Sequence, residues 1–155
     1  MFGLGSFIKK MEITLSPIGT AKNKEQKHFG GWNDVATDLV IDEKYQDALA
    51  GLEDYSHLIV IYWMHDVKTC DIRHVPQGKI GEVPEVGIFA CRCPQRPNPI
   101  GISTVKIISI KGAVIAVAGL DVIADTPILD IKPYTPQYDA ARDAKVPDWV
   151  NKLDY

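Results

Sequence analysis

Between Gly87 and Ser103 the chain places Arg92, Cys93, Arg96 and Asn98 among three prolines, Pro94, Pro97 and Pro99. Each proline fixes its own φ, lacks a backbone donor and keeps the residue before it out of helical geometry. The polar side chains therefore sit on a stiff, irregular backbone that cannot become a helix. Guanidinium groups held in this way suit a carboxylate or another anion, because arginine offers a planar fork of donors. Rigid connectors between strands commonly carry ligand-binding groups. The same residues also read as a plain strand connector with solvated arginines, and local physics does not choose between the two.

A second cluster lies in Leu129-Asp130-Ile131-Lys132-Pro133-Tyr134. In extended chain Asp130, Lys132 and Tyr134 share one face. A carboxylate, an ammonium and a phenol side by side can move a proton or hold an anionic acceptor; the plainer alternative is a solvated face with a weak ion pair. A third set, His65, Cys70, His74, Cys91 and Cys93, offers soft metal ligands, although its spacing follows no structural-zinc pattern. Cys93 stands between two arginines, a setting that favours a thiolate, so thiol chemistry is open there beside simple packing.

These groups need elements to hold them. Glu12 to Ile18 reads as a first strand, followed by a polar loop from Ala21 to Trp32. Val35, Thr37, Leu39 and Ile41 fall on one side of a second strand. Asp42 is a candidate N-cap for one short amphipathic helix through Tyr45, Ala48, Leu49 and Leu52. His57 to Met64 is nearly all apolar, as expected of a strand buried on both faces. Val86 to Ala90 begins the next strand. Ile102–Ile110 and Ala113–Ala118 flank the hairpin turn Lys111-Gly112. Ile128 to Ile131 forms a last strand, with a helical turn or two near Tyr138 to Lys145. Many strands and one clear helix predict a mainly β fold whose antiparallel sheet closes into a barrel. No G-x-G-x-x-G follows a strand, so this is not a Rossmann-type nucleotide site.

The stretch from Gly87 to Ser103 resembles the signature of the TrmO/YaeB family (TsaA-like domain), with Cys91 and Cys93 where threonine and serine are usual. Gly119-Leu120-Asp121 and Thr126 to Tyr134 resemble the family's second signature, and weaker similarity runs from about Ile13 to Asp139. The resemblance implies a small antiparallel β-barrel of the TsaA-like type working as a homodimer, with S-adenosylmethionine as cofactor. The implied reaction is methyl transfer to N6 of (threonylcarbamoyl)adenosine at tRNA position 37. It also implies cofactor contacts at Arg92, Ile102, Val122, Ile123, Ala124, Asp125, His65 and Asp66. Arg96, Asn98, Lys132 and Tyr134 are then expected to meet the acceptor, and Asp130, His65 and Tyr134 to act catalytically. Bland alternatives stand beside these: Arg92 as ion-pair partner of Asp121 or Asp130, His65 as a polar strand end, Ile102 as core. The chain departs from the family pattern at Lys27-His28-Phe29, where Pro-Arg-Gln is frequent, and at Ala124-Asp125, where Asp-Gly is usual. Both departures suggest a divergent subgroup. They leave room for a small-molecule acceptor, or for a non-catalytic cofactor-binding sensor.

Composition sets the frame. At 155 residues, with 46% apolar and 24% charged residues, the chain has one domain's length and enough apolar surface for a core. The expected division is an extension over 1–10, the barrel over 11–140 and a tail over 141–155. A formal charge of −3 gives no general attraction to nucleic acid, so an RNA contact needs a local basic patch. Three cysteines and no recognisable signal peptide in Met1 to Ile8 are the pattern of reduced thiols in the cytoplasm.

Overall fold

Strict alternation of buried and open residues generates the sheet in the computed structural model, which describes residues 12–23 and 31–154. Among the described residues eight strands follow in chain order: β1 (Gly19–Lys22), β2 (Ala36–Ile41), β3 (His57–Trp63), β4 (Arg73–His74), β5 (Val86–Gly87), β6 (Ile100–Lys111), β7 (Val114–Ala118) and β8 (Pro127–Pro133). Six of them close into a barrel in the order β1-β2-β7-β6-β3-β8, with β8 pairing back onto β1. Every barrel pairing is antiparallel. Closure leaves no unpaired sheet edge in the barrel. β4 and β5 form a separate two-stranded sheet outside it.

The inward stripe is aliphatic: Leu39, Leu58, Val60, Val105, Ile115, Val117, Leu120 and Ile128 are buried in one cluster. Removing such side chains from water, at about 1.5–3 kcal/mol each, is the main drive for closure. On β3 the burial alternates, with Leu58, Val60 and Tyr62 inside and Ile59, Ile61 and Trp63 half-buried outside. The expectation of a strand buried on both faces is thus corrected, because a barrel has only one interior. The outward apolar residues recur next door, where Ile61 pairs with Ile102 and Trp63 with Ile100.

Other expectations also change. The first strand is Gly19–Lys22 rather than Glu12 to Ile18; residues 12–17 carry no regular structure. Gly19 belongs in the ladder because a Cβ there would lie 2.4 Å from the Val40 carbonyl oxygen, so only glycine permits this approach to β2. The segment after Asp42 folds as two short 3₁₀ turns, Glu43–Leu49 and Leu52–Asp54, and the Asp42 side chain makes no capping bond. Gly51, at φ 89°, divides them, leaving each piece too short to sustain an α-helix. The α-helical turn among the described residues is Pro136–Asp139, slightly earlier than expected. The β6–β7 hairpin is present, but its turn is Gly112-Ala113, one residue later than expected, because Lys111 pairs with Val114; Gly112 sits at φ 57°.

Antiparallel register decides which loops meet. Trp63 pairs with Ile100, Tyr62 with Ile128, Thr20 with Pro127 and Ala36 with Ala118. One mouth of the barrel therefore gathers Asn23 just after β1, the chain after β3, the Pro-rich loop before β6, and Gly119 to Thr126 before β8.

Candidate functional site

The Pro-rich loop is held from within. Arg96 Nη1 donates to the carbonyls of Cys91 and Cys93, 3.1 Å to each. Cys91 and Cys93 are buried with Ile88 in a small apolar cluster of their own. Arg92, by contrast, is exposed, and its Nη2 donates to the Ile102 carbonyl at 2.5 Å. Of the two arginines, one braces the loop and the other presents its guanidinium outward. Asn98 is exposed beside them, and its carbonyl accepts from Ile100 N at 2.7 Å.

Ile102 is 49% exposed on the outer wall of the barrel, which removes the alternative that it is core. Val122 is buried, and its carbonyl accepts from Asn23 Nδ2 at 3.0 Å. Ile123 and Ala124 are half-buried, and the Ile123 carbonyl accepts from Thr126 Oγ1 at 2.8 Å. Asp125 sits at φ 64°, where the family usually has glycine. Short polar side chains tolerate that conformation next best. Its carboxylate is paired with the Lys22 ammonium, which holds the carboxyl below the usual carboxylate range. His65, half-buried just after β3, faces the same carboxylate. Asp66 is exposed near Lys68, 3.9 Å away.

Two buried side-chain polar atoms among the described residues have no hydrogen-bond partner, His65 Nδ1 and Gln95 Oε1. Both belong to the loops at this mouth. Leaving such an atom unmatched costs about 1–3 kcal/mol, and a bound polar ligand is one way to recover it.

Behind the mouth lies a group not singled out in the sequence. Tyr62 Oη donates to the Asp121 carbonyl at 3.1 Å and lies 3.2 Å from Ser103 Oγ. Burial pushes this phenol above its ordinary pKa, with the Asp121 charge acting the same way and Arg92 opposing it. It stays protonated and ties β3 to the loop that carries Asp121. The detectable signal was Gly101, which is directly paired with Tyr62.

The second cluster is only partly at this place. Asp130 pairs with Ile61, and Ile61 with Ile102, so Asp130 is two strands from Ile102 on the same outer wall, roughly 10 Å across. Its carboxylate holds Lys132 Nζ at 2.6 Å, raising the lysine's pKa. Tyr134 lies at the far end, edge-on to His57 with ring centroids 6.4 Å apart. His57 and His65 bracket β3, roughly 26 Å apart at about 3.3 Å per residue. Within one chain the structure does not bring Tyr134 to His65. Lys27, His28 and Phe29 lie outside the described residues.

Thiol catalysis at Cys93 is corrected. Burial first, and then the neighbouring Cys91 thiol, push Cys93 up to about 12, against weaker opposing effects of the Gln77 backbone and Arg96. The protonated thiol is no nucleophile at neutral pH. In native protein at pH 8, iodoacetamide should label the exposed Cys70 within minutes and spare Cys91 and Cys93 until denaturant is added. Peptide mass mapping checks this, and early carbamidomethylation of Cys93 would contradict it. Among the described residues no group of three or more His, Cys, Asp or Glu side chains is arranged to hold a metal.

The molecule is thus a small closed antiparallel barrel with an exposed guanidinium, an orphaned imidazole nitrogen and a carboxylate at one mouth. The profile of the tRNA-methyltransferase O N-terminal domain matches residues 21–140. The chain belongs to that family. It is 35% identical over 132 residues to an S-adenosyl-L-methionine-binding protein of Archaeoglobus fulgidus, covering 82% of this chain and 93% of that one. It is also 35% identical over 104 residues to a human tRNA (adenine(37)-N6)-methyltransferase, covering 66% of this chain and 23% of the human protein. The crystal structure of TrmO from Pseudomonas aeruginosa superposes with a TM-score of 0.72 at 29% identity, covering 87% of this chain and 62% of that one. The chain thus spans under two thirds of the solved TrmO and about a quarter of the human enzyme.

Proposed function

We propose that this chain is an S-adenosylmethionine-dependent methyltransferase of the TrmO kind, acting on N6 of adenosine 37 in tRNA, with the threonylcarbamoyl-modified base as its substrate. The observation that carries the reading is the buried, unpartnered His65 Nδ1 at the same mouth as Arg92, Ile102 and Val122 to Asp125. These residues fit the cofactor's chemistry. Arg92 suits its carboxylate, Ile102 gives the adenosine an apolar wall, and the backbone of Val122 to Asp125 offers fixed polar groups. When bound, the cofactor supplies a methyl group activated by a sulfonium centre. The protein's task is then to align an acceptor nitrogen at roughly 3–3.5 Å and let its proton leave. His65 and Asp130 are the groups assigned to that proton, while Arg96, Asn98 and Lys132 border the acceptor.

A second copy of the chain completes this arrangement. Ile59, Ile61, Trp63, Ile100 and Ile102 form an apolar outer wall next to Arg92, and such a face is typical of a homodimer contact. The partner's copy of β8 is then the route by which Tyr134 reaches the site. No helix among the described residues is long and apolar enough to cross a membrane, and the working compartment is taken as the cytoplasm. A small-molecule acceptor is the second reading, favoured by the charge of −3 and by the pairing of Lys22 and Lys132 with carboxylates.

Thermal shift with S-adenosylmethionine at a hundredfold excess over Kd should add about 2.7 kcal/mol of stability. Labelled methyl should then pass to bulk tRNA. Transfer only to a small-molecule extract would establish the second reading, and binding without transfer to either pool would leave a sensor.

A further inference from the structure

The chain beyond the family match is not loose. A last 3₁₀ turn, Asp148–Lys152, leads residues 152–154 against the turn around Pro76 to Val83. Gln77 pairs with Asp154 as one backbone amide pairs with another: its Nε2 donates to Asp154 O at 2.6 Å, and its Oε1 accepts from Asp154 N at 2.9 Å. Lys79 Nζ donates to Lys152 O at 2.6 Å and lies 2.8 Å from the Asp154 carboxylate. Lys152 Nζ donates in return to Glu82 O at 3.0 Å. Four side chains and two backbone stretches are thus mutually satisfied.

The same turn leans on the Pro-rich loop. Gln77 occupies φ 53°, a conformation a non-glycine residue adopts only at a cost, and there its backbone N–H faces the Cys93 sulfur. Just upstream, Asp71 N donates to Gln95 O at 2.9 Å, and Ile88 N donates to Ile72 O at 3.0 Å. Residues 71–79 therefore hold the loop carrying Arg92 by two backbone hydrogen bonds, at Gln95 and Ile88, and approach it at Cys93. A backbone held off its preferred basin persists only when its surroundings fix it, and the tail's hold on the Gln77 side chain supplies that.

We propose that Gln77 is a positioning residue: strapped down by the C-terminal segment, it holds residues 71–79 against the Cys93–Gln95 stretch and so fixes the loop from which Arg92 is presented. The consequence for methyl transfer rests on the function proposed above; the mechanical consequence does not. Residues 141–154 lie outside the family match at 21–140.

Three variants test this in the full chain: Gln77→Gly, which keeps the backbone permissive and deletes the side-chain pair; Lys79→Met, which removes the ammonium; and a stop codon after Val146. Native alkylation of Cys93, followed by mass mapping, should accelerate about tenfold or more as the loop opens locally. The Kd for S-adenosylmethionine should rise roughly fivefold, a coupling of ordinary size, with the melting midpoint, which reads the barrel, nearly unchanged. Gln77→Asn, which restores an amide, should recover part of both effects. If truncated protein fails to fold, the two point variants decide. Unchanged Cys93 labelling in both would overturn the proposal, whatever the cofactor result. Faster labelling with no cofactor binding even in the parent protein would instead uphold the strap and remove the proposed function.

Discussion

Replacing Arg92 with alanine is expected to raise the Kd for S-adenosylmethionine by about 10- to 100-fold, the loss of one or two hydrogen bonds between charged partners. The size follows from how little else this side chain does. It is exposed, and the hydrogen bond it makes is from Nη2 to the Ile102 carbonyl. It is also close enough to the Tyr62 phenol to act on it electrostatically, so it stands at the rim and not out along a flexible loop. Because Arg92 is not packed into either core cluster, the melting midpoint without ligand should move by less than about 2 °C. Arg92→Lys keeps the charge but loses the planar fork, and should recover only part of the affinity. Calorimetric titration of the three proteins is the measurement. Equal affinity across them would place the cofactor elsewhere and dismantle the proposed function with it.

Much of this was legible in the residues alone. Thr37, Leu39 and Ile41 announce an inward face by strict alternation, and Gly112 marks the β6–β7 turn, although the turn falls one residue later than its chemistry predicts. The Pro-rich loop declared itself because three prolines exclude every regular alternative. Other features stayed hidden for identifiable reasons. His57 to Met64 lacks polar alternation because its outer face is apolar too, so periodicity could not distinguish a barrel wall from a central strand. Tyr45, Leu49 and Leu52 keep helical spacing, which two 3₁₀ turns interrupted by a glycine imitate closely. The roles of Arg92 and Arg96 are chemically interchangeable in the sequence; only the positions of the Cys91 and Cys93 carbonyls tell the brace from the presenting group. Asp130 and Tyr134 share a hexapeptide, yet β8 leads the chain away from the site's wall at Asp130, and Tyr134 follows its last residue, Pro133, beside His57. Contacts such as Gln77 with Asp154 join residues 77 apart in sequence and leave no local trace.

Gly101→Ala should be a severely damaging single methyl addition to the barrel. A Cβ at this position would lie 2.1 Å and 2.3 Å from Cε2 and Cζ of Tyr62, its direct partner across the ladder. Ordinary overpacking costs about 1–3 kcal/mol because neighbours shift by tenths of an ångström. Here the neighbour cannot shift, since the buried ring is pinned by its hydroxyl to Asp121 and Ser103. The ring must leave its slot, abandoning both bonds, so the cost should reach about 3 kcal/mol or more, and the midpoint should fall by roughly 6–12 °C. Gly87→Ala is the control: a methyl added there would meet no heavy atom within 4 Å, and the residue's φ is ordinary, so the change should be neutral or slightly stabilising. A double-mutant cycle separates sterics from backbone effects. In a Tyr62→Ala background, itself costly, the added Gly101→Ala change should cost less than about 1 kcal/mol, because the atoms it would strike are gone. If denaturant titrations instead give the same penalty with and without the ring, the glycine serves the strand's backbone, and the tight pairing of Gly101 with Tyr62 is not what this part of the Pro-rich signature preserves.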